Sequence, residues 1–258
     1  KRASRETGHP CKIYVDLAGP KIRTSILGKG SDKGRVKLEK GQRVLLAENY
    51  VEFDPESVVI GCTLPGIVDQ LHKDERVLFD DGKFEARVVK VSKGKAALRM
   101  LRCSTEKPRL KAEKGINFPD SKLRMSSLTD DDLAALPFVR QHADLVGYSF
   151  VRTPEDVQQL HQHLGNGNSP LLVLKIETPE AVENLPSLLL EGMKHNVFGV
   201  MIARGDLAVE IGFERLSEIQ EEILWICEAA HVPVIWATQV LETLNKSGLA
   251  TRSEVTDA

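Results

Sequence analysis

A strand followed directly by the start of a helix occurs repeatedly in this sequence, and this repeat restricts the fold more than any other feature. "TPEDV" begins at Thr153 and "TPEAV" begins at Thr178, 25 residues later, each after an apolar run. Thr is a favoured helix N-cap, and Pro is favoured at the first helical position. Five strands of this kind are predicted, at 11–16, 144–150, 171–176, 197–202 and 233–237. Strands that alternate with helices indicate βαβ units and a parallel sheet.

The segment 25–117 has a different pattern. Its short alternating apolar runs are broken by Gly, Asp-Gly and Lys-Gly, which indicates β-hairpins. The surrounding repeat of about 25–35 residues is typical of a (β/α) barrel, but a full barrel needs eight strands. Either the sheet is open or the chain is part of a longer barrel. The predicted fold class is α/β, of the (β/α)8 TIM-barrel type and incomplete in this chain, with an inserted small all-β lid domain. The predicted domains are barrel at 1–24, lid at 25–117 and barrel at 118–258.

Composition excludes several classes of protein. The chain has 258 residues, of which 41% are hydrophobic and 28% charged, as in ordinary soluble domains. Its net charge of -2 gives no overall electrostatic reason to expect nucleic acid or a membrane as a partner. No apolar run approaches the roughly 20 residues that span a bilayer. The four cysteines have no metal-binding spacing, so we expect reduced thiols and a cytoplasmic protein.

Several polar residues follow the predicted strands. Lys175 and Glu177 end one strand and lie on the same side of it, because their spacing is two. Asp206 follows the next strand, Thr238 the one after, and Asp16 ends the first. Reactive groups in parallel α/β folds collect at this end of the sheet. Two carboxylates beside a lysine would suit Mg²⁺ or Mn²⁺ together with a phosphate-bearing ligand, and the lysine could stabilise negative charge.

Structural explanations of the same residues are also open at this point. A Lys-x-Glu pair at a strand end is more often a structural ion pair than a catalytic one. "ARGD" could be a turn with an arginine fork, and Asp81-Gly82 is a typical hairpin turn. Trp225 and Trp236 are predicted to lie in the core. Spacing alone therefore does not decide between a structural and a functional role.

Eight stretches of the chain resemble pyruvate kinases, in the same order and with the expected gaps. They are "VDLAGPKIRT", "FDDGKFEARV", "EKGINFPD", "LTDDDL", "ADLVGYSFVR", "LKIETPEAV", "IARGDLAVEIG" and "VIWATQVLETL…TRSEVTDA". The resemblance covers nearly the whole chain. It implies a glycolytic Mg²⁺-dependent phosphotransferase that converts phosphoenolpyruvate and ADP to pyruvate and ATP, and it is compatible with a homo-oligomer.

The resemblance also implies roles for individual barrel residues. Lys175 would be the central electrophilic residue, against the transferring phosphate and the enolate oxygen. Glu177 and Asp206 would bind the divalent cation. Backbone N–H groups of Gly205 and Asp206 would hold the substrate carboxylate, and Thr238 would lie near the methylene carbon that is protonated.

Three further residues, one just before the β-rich insertion and two within it, are implied to face phosphates. Arg23 matches the family's phosphate-contacting arginine, which would serve both catalysis and nucleotide binding. Asp81, in the Asp-Asp-Gly turn, and Lys114 would face the nucleotide. These assignments follow from the resemblance and require the insertion to act as a lid over the nucleotide.

The sequence departs from the family pattern next to Asp16, which would be a potassium ligand. Leu17 replaces a threonine that helps to bind potassium, and Ala18 replaces a lysine, so potassium dependence is left open. A phosphate-binding arginine that precedes "NFSHG" in the family has no match in these 258 residues, and we expect the isolated segment to have little kinase turnover. Two other functions remain: a non-catalytic phosphoenolpyruvate-binding sensor or scaffold, and a metal-dependent enolpyruvate lyase on the same barrel.

Overall fold

The computed structural model describes residues 2–48, 51–104, 108–165, 169–194 and 198–257. The chain forms two compact units. Unit 1 comprises Lys1–Gly19, Ser127–Ala208 and Gly212–Ala258, and unit 2 comprises Pro20–Ser126 and Val209–Ile211. The predicted insertion at 25–117 lies inside unit 2, which starts earlier and ends later than the change in sequence pattern. Its action as a lid stays a prediction.

Unit 1 contains a five-stranded parallel sheet. In spatial order its strands are β1 (Tyr14–Leu17), β11 (Leu145–Tyr148), β12 (Leu171–Ile176), β13 (Phe198–Ala203) and β14 (Val234–Ala237). All four pairings are parallel, so neighbouring strands end at the same edge. The five predicted strands and the α/β class are confirmed. Both faces of the inner strands are covered, which explains their nearly continuous apolar sequences.

Helices precede, connect and follow these strands. They are α1 (Arg2–Thr7), α2 (Asp130–His142), α3 (Pro154–Leu164), α4 (Pro179–Glu183), α5 (Leu185–Gly192), α6 (Arg204–Ile211), α7 (Leu216–Ala229), α8 (Glu242–Ser247) and α9 (Arg252–Asp257). Thr153 and Thr178 cap α3 and α4 as predicted. Thr129 caps α2, and Thr129 and Thr153 each form a reciprocal capping box with an Asp three residues on. The predicted Gly-Asp turn after β13 is wrong, because α6 begins at Arg204 with no intervening loop.

Unit 2 is built from β-strands. They are β2 (Thr24–Ile26), β3 (Arg35–Lys37), β4 (Arg43–Glu48), β5 (Val59–Cys62), β6 (Arg76–Phe79), β7 (Phe84–Ser92), β8 (Lys95–Cys103), β9 (Arg109–Lys111) and β10 (Ile116–Asn117). Seven form one sheet in the order β10-β6-β7-β8-β4-β5-β2, and β3 pairs with β9. Between 20 and 126, the described residues form two short 3₁₀ turns but no α-helix. The buried side chains of this unit form a hydrophobic core of their own.

Two of the points at which the chain passes between the units, after Gly19 and before Ser127, are anchored on the same short segment, Ser149 and Phe150. Ser127 Oγ donates to the Phe150 carbonyl at 3.0 Å. Gly19 has a φ of 67°, and a Cβ there would lie 3.0 Å from both the Phe150 ring and the Ser149 carbonyl. Any other residue at Gly19 would therefore be strained and crowded.

Asp132 ties the outgoing crossing to the start of α2. Its carboxylate accepts the N–H groups of Ala18 at 2.9 Å and Gly19 at 3.2 Å, and also the Thr129 N–H at 3.0 Å and hydroxyl at 2.7 Å. Asp132 is 4% exposed. One buried carboxylate therefore closes the helix cap and fixes the loop after β1.

The two tryptophans of unit 1 lie in different environments. Trp225 on α7 is 67% exposed, so its predicted core location is wrong, whereas Trp236 on β14 lies beneath the Arg204 guanidinium at 5.6 Å.

None of the helices in the described residues is long and apolar enough to cross a membrane. All four cysteines are free thiols.

We expect Asp132→Ala to lower the free energy of unfolding of unit 1 by about 2–4 kcal/mol, because it removes a cap and leaves buried N–H groups without acceptors. Urea unfolding followed by tryptophan fluorescence checks this, since both tryptophans belong to unit 1. Asp131→Ala, at an exposed neighbouring position of the same helix turn, is the control and should cost no more than about 0.5 kcal/mol. Equal losses from the two variants would contradict the anchoring role.

Candidate active site

Lys175 and Glu177 lie together at the carboxyl end of β12. Lys175 Nζ is 3.4 Å from Glu177 Oε1, and the side chains are 15% and 3% exposed respectively. The second carboxylate oxygen of Glu177 accepts the Phe150 N–H at 2.7 Å. The backbone makes that contact with a φ of 54° at Phe150, a sparsely populated conformation for a bulky residue. Glu177 is therefore held from both oxygens.

Neighbouring strands supply two more contacts to Lys175. Its Nζ donates to Ser149 Oγ at 2.8 Å, just after β11, and lies 3.5 Å from Asp16 Oδ1 on β1. The Asp16 side chain is 52% exposed. The ammonium group thus sits at the meeting point of three strand ends, between one buried and one accessible carboxylate.

Burial raises the pKa of Glu177 above its ordinary value, and the nearby Asp206 carboxylate raises it further. The Lys175 ammonium and the Phe150 N–H act in the opposite direction but do not compensate fully. The Asp206 carboxylate is therefore close enough to Glu177 for its charge to raise the pKa of Glu177. Three carboxylates, on Asp16, Glu177 and Asp206, thus belong to the same strand ends as the Lys175 ammonium group.

Gly147 makes room for the first strand's polar side chains. It pairs with Asp16 across β1 and β11. A Cβ at Gly147 would overlap both the Tyr14 hydroxyl and the Asp16 carboxylate. Burial, followed by the charge of Asp16, raises the pKa of the Tyr14 hydroxyl above its ordinary value, so Tyr14 stays neutral. The absence of a side chain at position 147 thus determines where Asp16 can lie.

The ends of β13 and β14 form the other side of the cluster. Arg204, which is 8% exposed, donates from Nη2 to the Thr238 carbonyl at 2.6 Å and from Nε to the Ala237 carbonyl at 3.4 Å. Thr238 has a φ of 70°, which is unusual for a β-branched residue. A Cβ at Gly205 would lie 3.8 Å from the Thr238 methyl group. The structure therefore brings Gly205 and Thr238 together, with Asp206 in the first turn of α6.

The residues predicted to face the nucleotide form a cluster within unit 2. Arg23 Nη1 donates to the Glu113 carbonyl at 2.9 Å, and the Arg23 and Gly115 backbones form a β-bridge. Lys114 Nζ is 3.0 Å from Asp80 Oδ1, so its partner is the residue before the predicted Asp81. Asp80, Asp81 and Gly82 all have positive φ in the β6–β7 turn. Arg23, Lys114 and this turn are neighbours, and their role with a nucleotide stays a prediction.

A divalent cation fits the donor atoms of unit 1 if water and substrate oxygens complete its coordination shell. Mg²⁺ and Mn²⁺ prefer oxygen ligands, and Mg²⁺ commonly takes one or two carboxylates and completes its shell with water and substrate oxygens. Glu177 and Asp206 supply such a pair. Among the described residues, no group of three or more His, Cys, Asp or Glu side chains could hold a metal alone. The donor set therefore fits a shared Mg²⁺ and does not fit a closed zinc site.

Sequence reasoning missed Ser149, Tyr14, Gly147 and the Phe150 N–H. Each reaches the site from a strand distant in the sequence, and only the strand register brings it there. The stretch "YSF", which holds Ser149 and Phe150, lies in a predicted strand and in one of the stretches that resemble pyruvate kinases, but neither observation assigns these two residues a role. The predicted βα alternation contained one signal that could have found Ser149, because a polar residue ending an apolar strand in a parallel sheet lies beside the equivalent residues of its neighbours.

The parallel sheet, its helical connections and the inserted β-rich unit place the chain among the (β/α)-barrel proteins. A family model described as "Pyruvate kinase, barrel domain" matches residues 1–258. The chain belongs to the pyruvate kinase family.

Individual relatives agree with this assignment. The chain is 31% identical over 259 residues to a pyruvate kinase of Staphylococcus epidermidis and 31% identical over 263 residues to that of Geobacillus stearothermophilus, covering 100% of this chain in both cases. It is 30% identical over 248 residues, 95% of its length, to a pyruvate kinase of Staphylococcus aureus. The chain spans about two fifths of the length of these curated relatives: 41%, 42% and 40%.

We expect Gly147→Ala to lower the free energy of unfolding by about 1–3 kcal/mol, because the methyl group overlaps atoms that cannot move without disturbing the Lys175 cluster. Tryptophan-monitored urea unfolding measures the loss. Gly199→Ala is the matched control on β13, where the new methyl would meet only the Pro233 carbonyl at 3.2 Å and Pro233 Cγ at 3.6 Å. In a Tyr14→Phe background the cost of Gly147→Ala should fall, and strictly additive effects would contradict the proposed overlap.

Proposed function

We propose that the protein carrying this chain transfers a phosphoryl group between phosphoenolpyruvate and ADP, giving pyruvate and ATP. The observation that supports the proposal most directly is the Lys175 cluster. The Lys175 side chain, which is 15% exposed, places its ammonium group between Glu177 and Asp16, at the end of a parallel sheet where such folds bind substrates. Family membership supports the same reaction, and the span of about two fifths of the relatives keeps the complete activity a proposal.

Lys175 has the central role in this proposal. When the phosphoryl group leaves, negative charge develops on the enolate oxygen, and the Lys175 ammonium group can stabilise that charge. Ser149 and Asp16 hold Nζ at 2.8 Å and 3.5 Å, so the charge is positioned before the substrate arrives. Phosphoryl transfer depends mainly on this kind of positioning and charge stabilisation.

Glu177 and Asp206 would hold Mg²⁺ or Mn²⁺, which when bound supplies charge neutralisation on phosphate and carboxylate oxygens. The N–H groups of Gly205 and Asp206 belong to the first turn of α6, where helix dipoles favour anions, and we assign them to the substrate carboxylate. Thr238, which is close to Gly205, is assigned to the carbon that is protonated. The Asp16 carboxylate is accessible, and we retain Asp16 as a potassium ligand in this proposal. Whether the protein depends on potassium is left open.

Unit 2 would supply the nucleotide contacts in this proposal. Arg23 and Lys114 are cations on adjacent segments and are suited to phosphate oxygens, and Asp81 lies in the neighbouring turn. A cytoplasmic location is also proposed, on the basis of the four free thiols. A homo-oligomer is compatible with these assignments but does not enter the argument.

We expect the chain to bind Mn²⁺ and Glu177→Gln to weaken this binding by at least about tenfold, because the amide keeps the Phe150 hydrogen bond but loses the metal-binding charge. Electron paramagnetic resonance of free Mn²⁺ gives the dissociation constant without requiring activity. Glu183→Gln is the control, since Glu183 is an exposed glutamate on α4 in the same unit. A Glu177→Gln variant that binds Mn²⁺ as the unmodified chain does would remove Glu177 from the metal site.

We expect Mg²⁺-dependent exchange of the pyruvate methyl protons with solvent deuterium, because the groups assigned to enolate formation all belong to unit 1. Proton NMR follows the loss of the methyl signal, and no nucleotide is needed. Lys175→Met should slow the exchange by about 100-fold or more, the loss typical of removing one charge-stabilising group. Lys194→Met, at an exposed lysine of the same unit, should leave the rate unchanged.

Pyruvate binding without exchange in the unmodified chain would favour the non-catalytic sensor or scaffold over the proposed enzyme. Binding is measured independently by titrating pyruvate and Mg²⁺ against tryptophan fluorescence, which reports on unit 1. Equal slowing by Lys175→Met and Lys194→Met would show that general charge, not the ammonium at the strand ends, determines the rate.

A further inference from the structure

Four arginines form one continuous row across the seven-stranded sheet of unit 2. Arg76 is directly opposite Arg87, Arg87 is opposite Arg99, and Arg99 is opposite Arg43. Residues directly opposite each other in antiparallel strands project from the same face, so the four side chains share one face. The row crosses β6, β7, β8 and β4 and spans about 14 Å, three strand spacings of about 4.8 Å. The adjacent residues that face the other way are buried: Val44, Val77, Val88 and Leu98.

This arrangement is unfavourable for the fold alone. Like charges directly opposite each other destabilise a sheet. Arg43, Arg87 and Arg99 are exposed, and none of them forms an ion pair with any residue that the structure describes. Unit 2 as a whole carries 23 Lys and Arg against 16 Asp and Glu, a net charge of +7, although the chain's net charge is -2. The row is thus a concentration of positive charge in a unit that already has an excess of it.

One end of the row already holds an anion. Asp120 accepts hydrogen bonds from Arg76 Nε at 3.0 Å and Nη2 at 2.7 Å, in the two-pronged geometry that guanidinium groups form with carboxylates and phosphates. Arg76, with a smaller contribution from Arg87, holds the pKa of Asp120 below its usual range. The remaining three arginines are arranged similarly along the row but lack such an anion among the described residues.

We propose that the arginine row, Arg76, Arg87, Arg99 and Arg43, binds a linear chain of phosphate groups, with inorganic polyphosphate as the ligand. Every phosphorus of such a chain carries negative charge, so a chain lying across the strands can meet each guanidinium in turn. Arginine is suited to this role because its planar fork binds phosphate oxygens in pairs. The proposal is independent of the reaction assigned to unit 1.

Two other extended anions fit the row less well. Alternate side chains on one face of an extended acidic peptide are about 6.8 Å apart, wider than the about 4.8 Å between neighbouring arginines. Single-stranded nucleic acid normally stacks its bases on aromatic side chains. The next cross-strand row on the same face is Lys90, Ala97 and Leu45, which offers a cation but no aromatic ring.

The test is fluorescence anisotropy of end-labelled polyphosphate of defined length, with the purified chain at several salt concentrations. With three arginines neutralising phosphates, the logarithm of the association constant should fall with the logarithm of salt concentration with a slope of about -2. Arg99→Gln should weaken binding about three- to tenfold and reduce the slope by about 0.7. Arg99→Glu should abolish binding at moderate salt.

Arg99→Glu also separates a binding role from a structural one. A glutamate between Arg87 and Arg43 replaces repulsion with attraction, so we expect the thermal unfolding midpoint of unit 2 to rise while polyphosphate binding is lost. The matched control is Arg109→Glu in β9, where Arg109 is opposite Lys37 and carries the same charge in the same unit. This control should change the polyphosphate affinity by no more than about threefold, because Arg109 is not a member of the row and contributes only general surface charge.

Three results would overturn the proposal. The first is no polyphosphate binding by the unmodified chain at low salt. The second is equal weakening by Arg99→Glu and Arg109→Glu, which would indicate diffuse attraction to the whole unit. The third is tighter binding of oligouridylate or poly-glutamate than of polyphosphate at matched charge, which would assign the row to a nucleic acid or an acidic protein.

Discussion

The buried carboxylate of Glu177 is the constraint on which the rest of unit 1 depends. A carboxylate only 3% exposed is costly unless both oxygens have partners, and here the partners are Lys175 and the Phe150 N–H. Lys175 is in turn held by Ser149 and Asp16 from the two preceding strands. The strand register, the positive φ at Phe150 and the small residue at 147 are all conditions for this one arrangement.

Charge balance connects this constraint to the proposed chemistry. Glu177 has a raised pKa in spite of its contact with Lys175, because burial and Asp206 together outweigh the ammonium. A site that consisted only of a structural ion pair would have no need of the second carboxylate. The carboxylates of Glu177 and Asp206 beside a positioned ammonium group support a site completed by a divalent metal and an anionic substrate, which is the basis of the proposed function.

The sequence predicted the strands and their polar ends well, because those features are local. Apolar runs located the five strands, the Thr-Pro pairs at 153 and 178 located two helix starts, and strand ends pointed to Lys175 and Glu177. It could not predict Gly147 as a determinant of the site, since that role depends on which residues of β1 lie opposite it. It also placed Trp225 in the core, although α7 turns it to the surface, and read the helix start at Arg204 as a turn. These errors concern relations between elements, which a linear pattern does not contain.

The anchoring of Gly19 and Ser127 on Ser149 and Phe150 has a consequence for how such a protein can change. Gly19 packs against this segment and Ser127 is hydrogen-bonded to it, so unit 1 itself keeps the entry and exit points of the insertion close together. Lengthening a loop whose ends are already held adds little entropic cost, since that cost grows only with the logarithm of loop length. We therefore expect this junction to accept inserted segments of different length at little cost to the stability of unit 1.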